Sequence, residues 1–281
     1  HHYRMKHLFM LICFGLLTCA APSNAQILVV KALGKVVKKT KIGKELNKKA
    51  GEAMNNLESS LGLRAPGAAN GDGSGTLILT EDSLTQGVLH EGHYYVDLGL
   101  PVMWATCNVG ANHPWETGEY FSWCETAPKE SYSPENGTNY SHSNTEDVVK
   151  GNPQFDAASK NWGGKWRMPT MYEMTLLKVQ CKWEPAKLNG QNGLLLTSKK
   201  NGNKIFIPAA YACGGDPNDK ARDTKDFTSG GYWTATVQES SNESEAFALI
   251  FDINDSDKMD VDIEDYWLGM SVRAVLDKSS L

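Results

Sequence analysis

The deciding segment of the sequence is Asn161-Trp162-Gly163-Gly164-Lys165-Trp166-Arg167-Met168-Pro169-Thr170, a tryptophan-rich stretch that ends in Pro and Thr. Proline presets the backbone for a first helical turn, and Thr170 can accept a hydrogen bond from a free N–H there. The apolar spacing that follows predicts a helix over residues 169–178. Trp166 is expected to anchor in the core, and Arg167 is expected to pair with a carboxylate.

Short strands are predicted on both sides of this segment. Runs rich in β-branched and aromatic residues and ended by Gly or Asn predict strands at 94–98, 194–197, 204–207, 232–236, 246–253 and 271–275. Residues 126–153 are rich in Ser, Asn, Pro and Gly and are expected to form a loop. The pattern predicts an α+β domain of short strands, about two helices and long loops.

The N-terminus is typical of an export signal. Arg4 and Lys6 precede the apolar stretch 8–17, and Ser23 and Ala25 supply small residues at the −3 and −1 positions. We expect a Sec signal peptide over residues 1–25, with the mature protein periplasmic, on the outer surface or secreted. Lipid anchoring at Cys19 is the competing interpretation, because residues 16–19 approximate a lipobox.

A basic segment follows over residues 26–62. Its apolar residues recur at three- and four-residue steps between lysines, which predicts an amphipathic helix preceding the domain, interrupted by glycines. Residues 27–70 carry nine Lys or Arg against three Glu, a net +6. Residues 27–62 are therefore a candidate for self-association or for contact with an anionic surface, and packing against the chain's own domain is the alternative.

Residues 63–75 have the Gly, Ala and Pro content of a flexible linker, and the folded domain is expected over residues 76–281. Residues 71–281 carry seventeen basic against thirty acidic side chains, a net −13. Because such a surface repels phosphates, the sequence predicts no nucleic-acid partner for the C-terminal domain.

Seven ordered motifs carry a resemblance to a known family. They are YVDLGLP at 95–101, WATCNVGA at 104–111, GEYFSW at 118–123, NWGGKWRMPT at 161–170, IFIPAA at 205–210, GYW at 231–233 and SVR at 271–273. Over residues 93–276 the chain resembles the Fibrobacter succinogenes major paralogous domain family. That family is distantly similar to the sulfatase-modifying factor group and is related to the C-type-lectin-like fold, so the resemblance implies a fold rather than an activity.

The resemblance also implies a disulfide pattern. Cys107 and Cys181 match cysteines common in the family, and they are expected to pair with each other. Cys124 and Cys213 stand near positions where the family has glycine, and a second bond between them is the matching hypothesis. An exported protein would hold such bonds, but four cysteines allow two further connectivities.

The sequence contains no recognised catalytic centre. The cysteine pair that formylglycine-generating members of the related group use is absent, and there is no Gly-x-Ser-x-Gly turn. His90-Glu91-Gly92-His93 departs from the zinc-helix motif in its histidine spacing and its glycine, so a loop is expected there. We expect a protein that is not an enzyme, and a carboxylate pair assembled by folding stays open as the alternative.

The candidate ligand face lies between the Gly-Tyr-Trp and Ser-Val-Arg motifs. The family resemblance places a ligand face in this region, and residues 234–265 are polar and irregular outside the strand expected at 246–251. The alternative is a pair of acidic loops that only aid solubility. The candidate ligand-binding residues are Trp233, Gln238, Ser240, Asn242, Glu243, Asp252, Asn254, Asp257, Asp260, Asp262, Glu264 and Tyr266.

We expect no cofactor and no metal. Calcium is the alternative, because residues 252–257 begin like an EF-hand loop, although Asp257 replaces the required glycine and Ile263 stands where a bidentate carboxylate belongs. The scatter of polar residues over 252–266 is also compatible with a hypervariable cassette of the kind found in retroelement-diversified lectin-like proteins.

Together these features predict an exported surface or secreted protein that recognises a protein or glycan ligand through the C-terminal lectin-like face. Two other classes stay open, namely a structural surface or matrix component without a discrete ligand and an enzyme with an unrecognised carboxylate site. An enzyme should show a pocket with convergent carboxylates, and a binding protein should show exposed aromatic residues at its ligand face.

Overall fold

The computed structural model describes residues 76–137, 144–214, 224–238 and 245–281, which belong to one compact unit. The predicted signal peptide, basic segment and linker lie outside the described residues. Within the described part of the chain, no helix is long and apolar enough to cross a membrane.

Short strands dominate the described residues, with three α-helices between them. The expected α+β class is thereby confirmed, and the C-type-lectin-like assignment stays a prediction. The strands are β1 (Leu77–Leu79), β2 (Val88–His90), β3 (His93–Val96), β4 (Val102–Ala105), β5 (Trp166–Arg167), β6 (Cys181–Leu188), β7 (Gln191–Ser198), β8 (Lys204–Pro208), β9 (Ser229–Val237), β10 (Glu245–Asp252), β11 (Asp255–Asp265) and β12 (Val275–Asp277), and the helices are α1 (Glu146–Val149), α2 (Ala157–Trp162) and α3 (Met171–Gln180).

The strands form three sheets. Their orders are β2-β3-β4-β12-β5, β1-β6-β7-β8 and β11-β10-β9. The β1–β6 pair is parallel and the other ladders are antiparallel. Single bridges from Phe121, Cys213 and Tyr232 to residues 269–271 connect these sheets through one buried stretch.

The helix predicted from the deciding segment is confirmed, two residues further along the chain than expected. It begins after Thr170 because that residue caps it: Thr170 Oγ1 accepts from the N–H of Glu173 over 3.2 Å, and Glu173 Oε2 accepts from the N–H of Thr170 over 2.8 Å. Arg167 pairs with two carboxylates, those of Glu173 and Asp277, at 2.7 and 2.5 Å.

Tryptophans anchor the core, as expected from the sequence. Trp104, Trp123, Trp166 and Trp233 are at most 1% exposed, and three of them belong to one apolar cluster that also contains Phe121. Burial on this scale supplies most of the driving force for folding.

Three expectations about local structure were wrong. Of the strand expected at 271–275, only Val275 lies in a strand, because β12 covers Val275–Asp277. The region 252–265, expected to be irregular, contains the eleven-residue strand β11. Its signal was present in the sequence, because Met259, Val261 and Ile263 alternate with acidic residues as they do in a half-buried strand. The loop expected at 126–153 contains α1 and a 3-10 turn at Pro134–Asn136.

Candidate functional site

The acidic candidates lie along β11 rather than around a pocket. Asp260, Asp262 and Glu264 occupy alternate positions and therefore share one face of the strand, opposite Ile250, Ala248 and Ala246 of β10. All three are half-buried. Asp260 accepts from Lys178 Nζ of α3 over 3.0 Å, so one member of the row already has a cationic partner within the domain.

Two other acidic candidates flank the turn between β10 and β11, with Asp252 at the end of β10 and Asp257 near the start of β11. Asp252 Oδ1 accepts from the N–H of Asn254 over 3.0 Å, an arrangement in which the carboxylate stabilises its own turn. Asp257 is exposed. No group of three or more His, Cys, Asp or Glu able to hold a metal ion occurs among the described residues, which include this turn.

The remaining candidates are scattered. Trp233 is fully buried, and its Nε1 donates to the carbonyl of Phe121 over 2.8 Å, which corrects the expectation that it contacts a ligand. Tyr266 is half-buried, and Gln238 follows the end of β9. Ser240, Asn242 and Glu243 lie outside the described residues. The face expected from the sequence is therefore a strand and its turn, with its predicted aromatic anchor inside the core.

A cleft of about 310 Å³ opens elsewhere, between the β2–β3 hairpin and the end of α2. None of the described candidate ligand-binding residues lines it. Its walls come from four separate stretches of chain: His93, then Val109 to Asn112, then Glu119 and Phe121, then Asn161 and Trp162.

One wall of the cleft is a pair of stacked rings. The rings of His93 and Trp162 lie 3.8 Å apart at an interplanar angle of 9°. Trp166 is perpendicular to both, with centroid distances of 5.1 Å to Trp162 and 6.1 Å to His93. If Trp166 covered the outer face of one ring, it would lie much farther from the other ring. Because its two centroid distances are similar, Trp166 lies beside the stacked pair. Burial lowers the pKa of His93, which keeps its imidazole neutral at neutral pH.

The polar groups of the cleft lie around this aromatic wall. Glu119, Asn112 and Asn161 are exposed. The Nδ2 of Asn161 donates to the carbonyls of Ala157 and Thr126 at 2.7 and 3.0 Å, which fixes the orientation of the amide. Its Oδ1 has no partner among the described residues, so the cleft offers a carboxylate and a positioned amide oxygen as acceptors.

The α2 helix holds Trp162 at its last position. Asp156 caps the start of the helix by accepting from the N–H of Ser159 over 2.9 Å, and it also accepts from the N–H of Met168 over 2.9 Å. Gly163 then ends the helix with a φ of 71°, a conformation that favours glycine. The glycines of the deciding segment thus place Trp162 at the cleft while the same segment continues into β5.

The β2–β3 hairpin, which carries His93, packs against Gly164. Glu91 Oε2 accepts from the N–H of Lys165 over 3.0 Å, and a side chain at Gly164 would overlap the Glu91 carboxylate. Glu91 and Gly92 both have positive φ, at 47° and 86°, as a two-residue type I′ turn requires. The loop expected for the His-Glu-Gly-His motif is confirmed, and its contacts bring His93 to Trp162.

Two more glycines shape the opposite wall. Gly110 has a φ of 81°, and a side chain there would collide with Glu119. Gly118, with a φ of 72°, leaves no room for a side chain against the carbonyl of Val109. That carbonyl accepts from the N–H of Glu119 over 2.9 Å, which fixes the backbone of Glu119 at the rim.

Neither expected disulfide is present in the structure, where Cys107, Cys124, Cys181 and Cys213 are free thiols. Their surroundings differ from one another. Cys124 Sγ accepts from Asn144 Nδ2 over 3.4 Å, Cys213 packs with tyrosines, and Cys107 lies 3.6 Å from Thr106 Oγ1.

Comparison of this chain with protein-family models, with curated proteins and with solved structures gave no match. The family resemblance of the seven motifs therefore stays a prediction, and the cleft is the feature that bears on function.

Proposed function

We propose that this chain is an exported recognition protein whose folded domain binds a glycan in the cleft beside Trp162. The observation that carries the proposal is the ring pair of Trp162 and His93 flanked by the carboxylate of Glu119 and the amides of Asn112 and Asn161. The predicted signal peptide supports export.

A sugar ring presents C–H groups on its face and hydroxyls around its edge. An aromatic wall accommodates the face, because a partly exposed tryptophan offers a large apolar surface at little entropic cost. Carboxylate and amide oxygens accept hydrogen bonds from hydroxyls, and a few such groups placed around an apolar wall give a small-molecule site its specificity. The cleft combines both features within 310 Å³, close to the lower end of the range of about 300–1,000 Å³ for such sites.

The charges in the cleft favour a neutral or amino sugar over an acidic one. Among the described residues, Glu119 is the carboxylate that lines the cleft, and no lysine or arginine lines it. Because His93 is neutral at neutral pH, an acidic sugar would meet a negative charge without a compensating cation.

The cleft is a better candidate than β11 for a small ligand. The acidic row of β11 lies along a strand, its Asp260 is paired with Lys178, and Trp233 is buried beneath the surface. A recognition site needs convergent groups and an accessible aromatic side chain, and among the described residues the cleft beside Trp162 brings these together.

A glycan array probed with the purified full chain tests the proposal, followed by calorimetry on each sugar that binds. Glu119→Gln and Asn112→Ala change exposed side chains and should preserve the fold. Glu119→Gln should weaken binding by about tenfold or more, because a hydrogen bond to a charged group contributes about 1.5–3 kcal/mol. Asn112→Ala should weaken it about two- to tenfold, because a hydrogen bond between neutral groups contributes about 0.5–1.5 kcal/mol. Glu130→Gln, at an exposed glutamate outside the cleft, is the matched control. Absence of glycan binding, or binding that both cleft variants leave intact, would refute the proposal.

A further inference from the structure

The β2 strand lies at the edge of its five-stranded sheet and exposes apolar side chains. Within the described residues it pairs on one side only, with β3. Leu89 and Tyr94 face each other across this pair and are 58% and 52% exposed, and the neighbouring Val88 is 55% exposed. Adjacent exposed apolar residues at an open sheet edge are typical of an interaction surface.

The backbone of β2 is also open at this edge. His90 and His93 flank the two-residue turn, so they form the hydrogen-bonded pair of the hairpin, and Leu89 with Tyr94 forms the next, non-hydrogen-bonded pair. The carbonyl of Tyr94 confirms this alternation, because it accepts from the N–H of Thr106 on the opposite side over 2.9 Å. The N–H and C=O of Leu89 therefore point away from the sheet, where no described residue meets them.

Charge distinguishes β2 from β11, which lies at the edge of the three-stranded sheet. The edge strand β11 carries six acidic residues and one lysine, so two copies of β11 side by side would repel each other. The three residues of β2 are Val88, Leu89 and His90, and none of them is an acid, a lysine, an arginine or a proline. Charges and prolines help to protect edge strands from pairing and β2 has neither, so its short length is what limits the pairing.

We propose that β2 pairs antiparallel with β2 of a second copy of this chain, about a two-fold axis at Leu89. The outward N–H and C=O groups of the two Leu89 residues then exchange hydrogen bonds, and Val88 of each copy lies opposite His90 of the other. The side chains line up as Tyr94, Leu89, Leu89 and Tyr94 in one apolar row across both hairpins. An identical strand satisfies this register without placing like charges opposite each other.

The pairing adds a second binding cleft to the assembly. Each hairpin carries a His93 that lines its own cleft, so the dimer presents two clefts on one joined sheet. The contact between three-residue strands is small, and the dimer is therefore expected to be weak and concentration-dependent. This consequence rests on the proposed function: two linked glycan-binding clefts raise the avidity for a repeating glycan above the affinity of one cleft.

Sedimentation equilibrium of the purified full chain over a wide concentration range tests the pairing. The wild-type chain should show a reversible monomer–dimer equilibrium. Leu89→Lys places two ammonium groups opposite each other at the axis and should weaken the dimer about tenfold or more. Val179→Lys is the matched control, because Val179 is 54% exposed on α3, and it should leave the equilibrium unchanged. Thermal unfolding of both variants verifies that they fold.

Cross-linking locates the axis independently. Residues of a hydrogen-bonded antiparallel pair have Cα atoms about 5.5 Å apart, a spacing within the range that a disulfide spans. Leu89→Cys should therefore form a covalent dimer on mild oxidation, whereas Val179→Cys should not. A chain that stays monomeric throughout overturns the proposal. A dimer that Leu89→Lys leaves intact also overturns it and assigns self-association to another surface, such as residues 27–62. Neither outcome affects the test of glycan binding in the cleft.

Discussion

Arg273 Nε donates to Asn108 Oδ1 over 2.7 Å, and this bond joins the buried stretch before β12 to the segment after β4. The guanidinium is fully buried and donates three further hydrogen bonds, to the carbonyls of Ala105, Thr106 and Phe206 at 2.8–3.1 Å. All four acceptors are neutral oxygens. Because none of these four partners is a carboxylate, burial lowers the pKa of Arg273. The four hydrogen bonds offset the cost of removing the guanidinium from water.

Replacing this guanidinium should be among the most damaging single changes in the domain. Arg273→Met leaves the four acceptors unpaired and should lower the free energy of unfolding by about 3–5 kcal/mol. Arg273→Lys should have an intermediate effect, because an ammonium has three donors and cannot reproduce the planar fork. Urea unfolding at pH 7 measures both. Equal stability of the two variants and the wild type would show that the hydrogen bonds contribute little.

Acid should destabilise the domain partly through Asp277. Arg167 holds the pKa of this carboxyl below its ordinary value of 3.8 by hydrogen bonding and charge. A lowered folded-state pKa gives stability that is complete above the ordinary value and is lost as the pH falls through the lower one. Asp277→Asn should therefore flatten the loss of stability between about pH 5 and pH 2. Urea unfolding at several pH values tests it, and an unchanged slope would contradict it.

Gly110→Ala should damage the cleft more than the fold. The positive φ of Gly110 disfavours alanine by about 1–2 kcal/mol, and the added methyl group displaces the side chain of Glu119. We expect a small drop in melting temperature and a larger loss of glycan binding. Gly202→Ala is the control, because Gly202 has a similar φ of 76° and no atom near the added methyl group. Equal losses of binding in the two variants would show that Glu119 does not contribute to glycan binding.

Thiol labelling tests whether the cysteines are free. Cys107 is partly exposed, and Cys124, Cys181 and Cys213 are buried. Burial raises the pKa of Cys107, and it raises that of Cys181 to about 11, so little thiolate is present at pH 8. Peptide-level mass spectrometry should show slow alkylation of Cys107 in the native protein and of the other three only after unfolding. Unlabelled pairs in the unfolded, unreduced protein would restore the disulfide hypothesis.

The acidic residues of β11 should contribute little to stability. Lys178 and Asp260 form a partly exposed ion pair at 3.0 Å, so Asp260→Ala should cost less than about 1 kcal/mol. Asp257→Ala, at an exposed position, should be neutral within about 0.5 kcal/mol. Unfolding of either variant at room temperature would contradict the prediction and give the substituted carboxylate a structural role.

The sequence by itself determined the local features of this protein. The capped helix α3 and a loop at residues 90–93 were predicted from neighbouring residues, because caps, turns and proline act over a few positions. A carboxylate partner for Arg167 was predicted as well, without the identity of that partner. The core position of Trp166 was also predicted, since tryptophan side chains are highly buried on average. The disulfide pairing, which was implied by resemblance alone, is not found among the free thiols of the structure.

The tertiary structure alone decided which residues meet at a site. The cleft joins His93 with Glu119 and Trp162, which lie up to 69 positions apart and carry no shared motif. The solvent accessibility of side chains could not be predicted from the sequence either. Trp233 lies in a predicted strand and is buried, whereas Leu89 lies in an observed strand and is exposed. Composition and periodicity report how a segment folds locally, but the burial and the neighbours of a side chain depend on how distant segments pack.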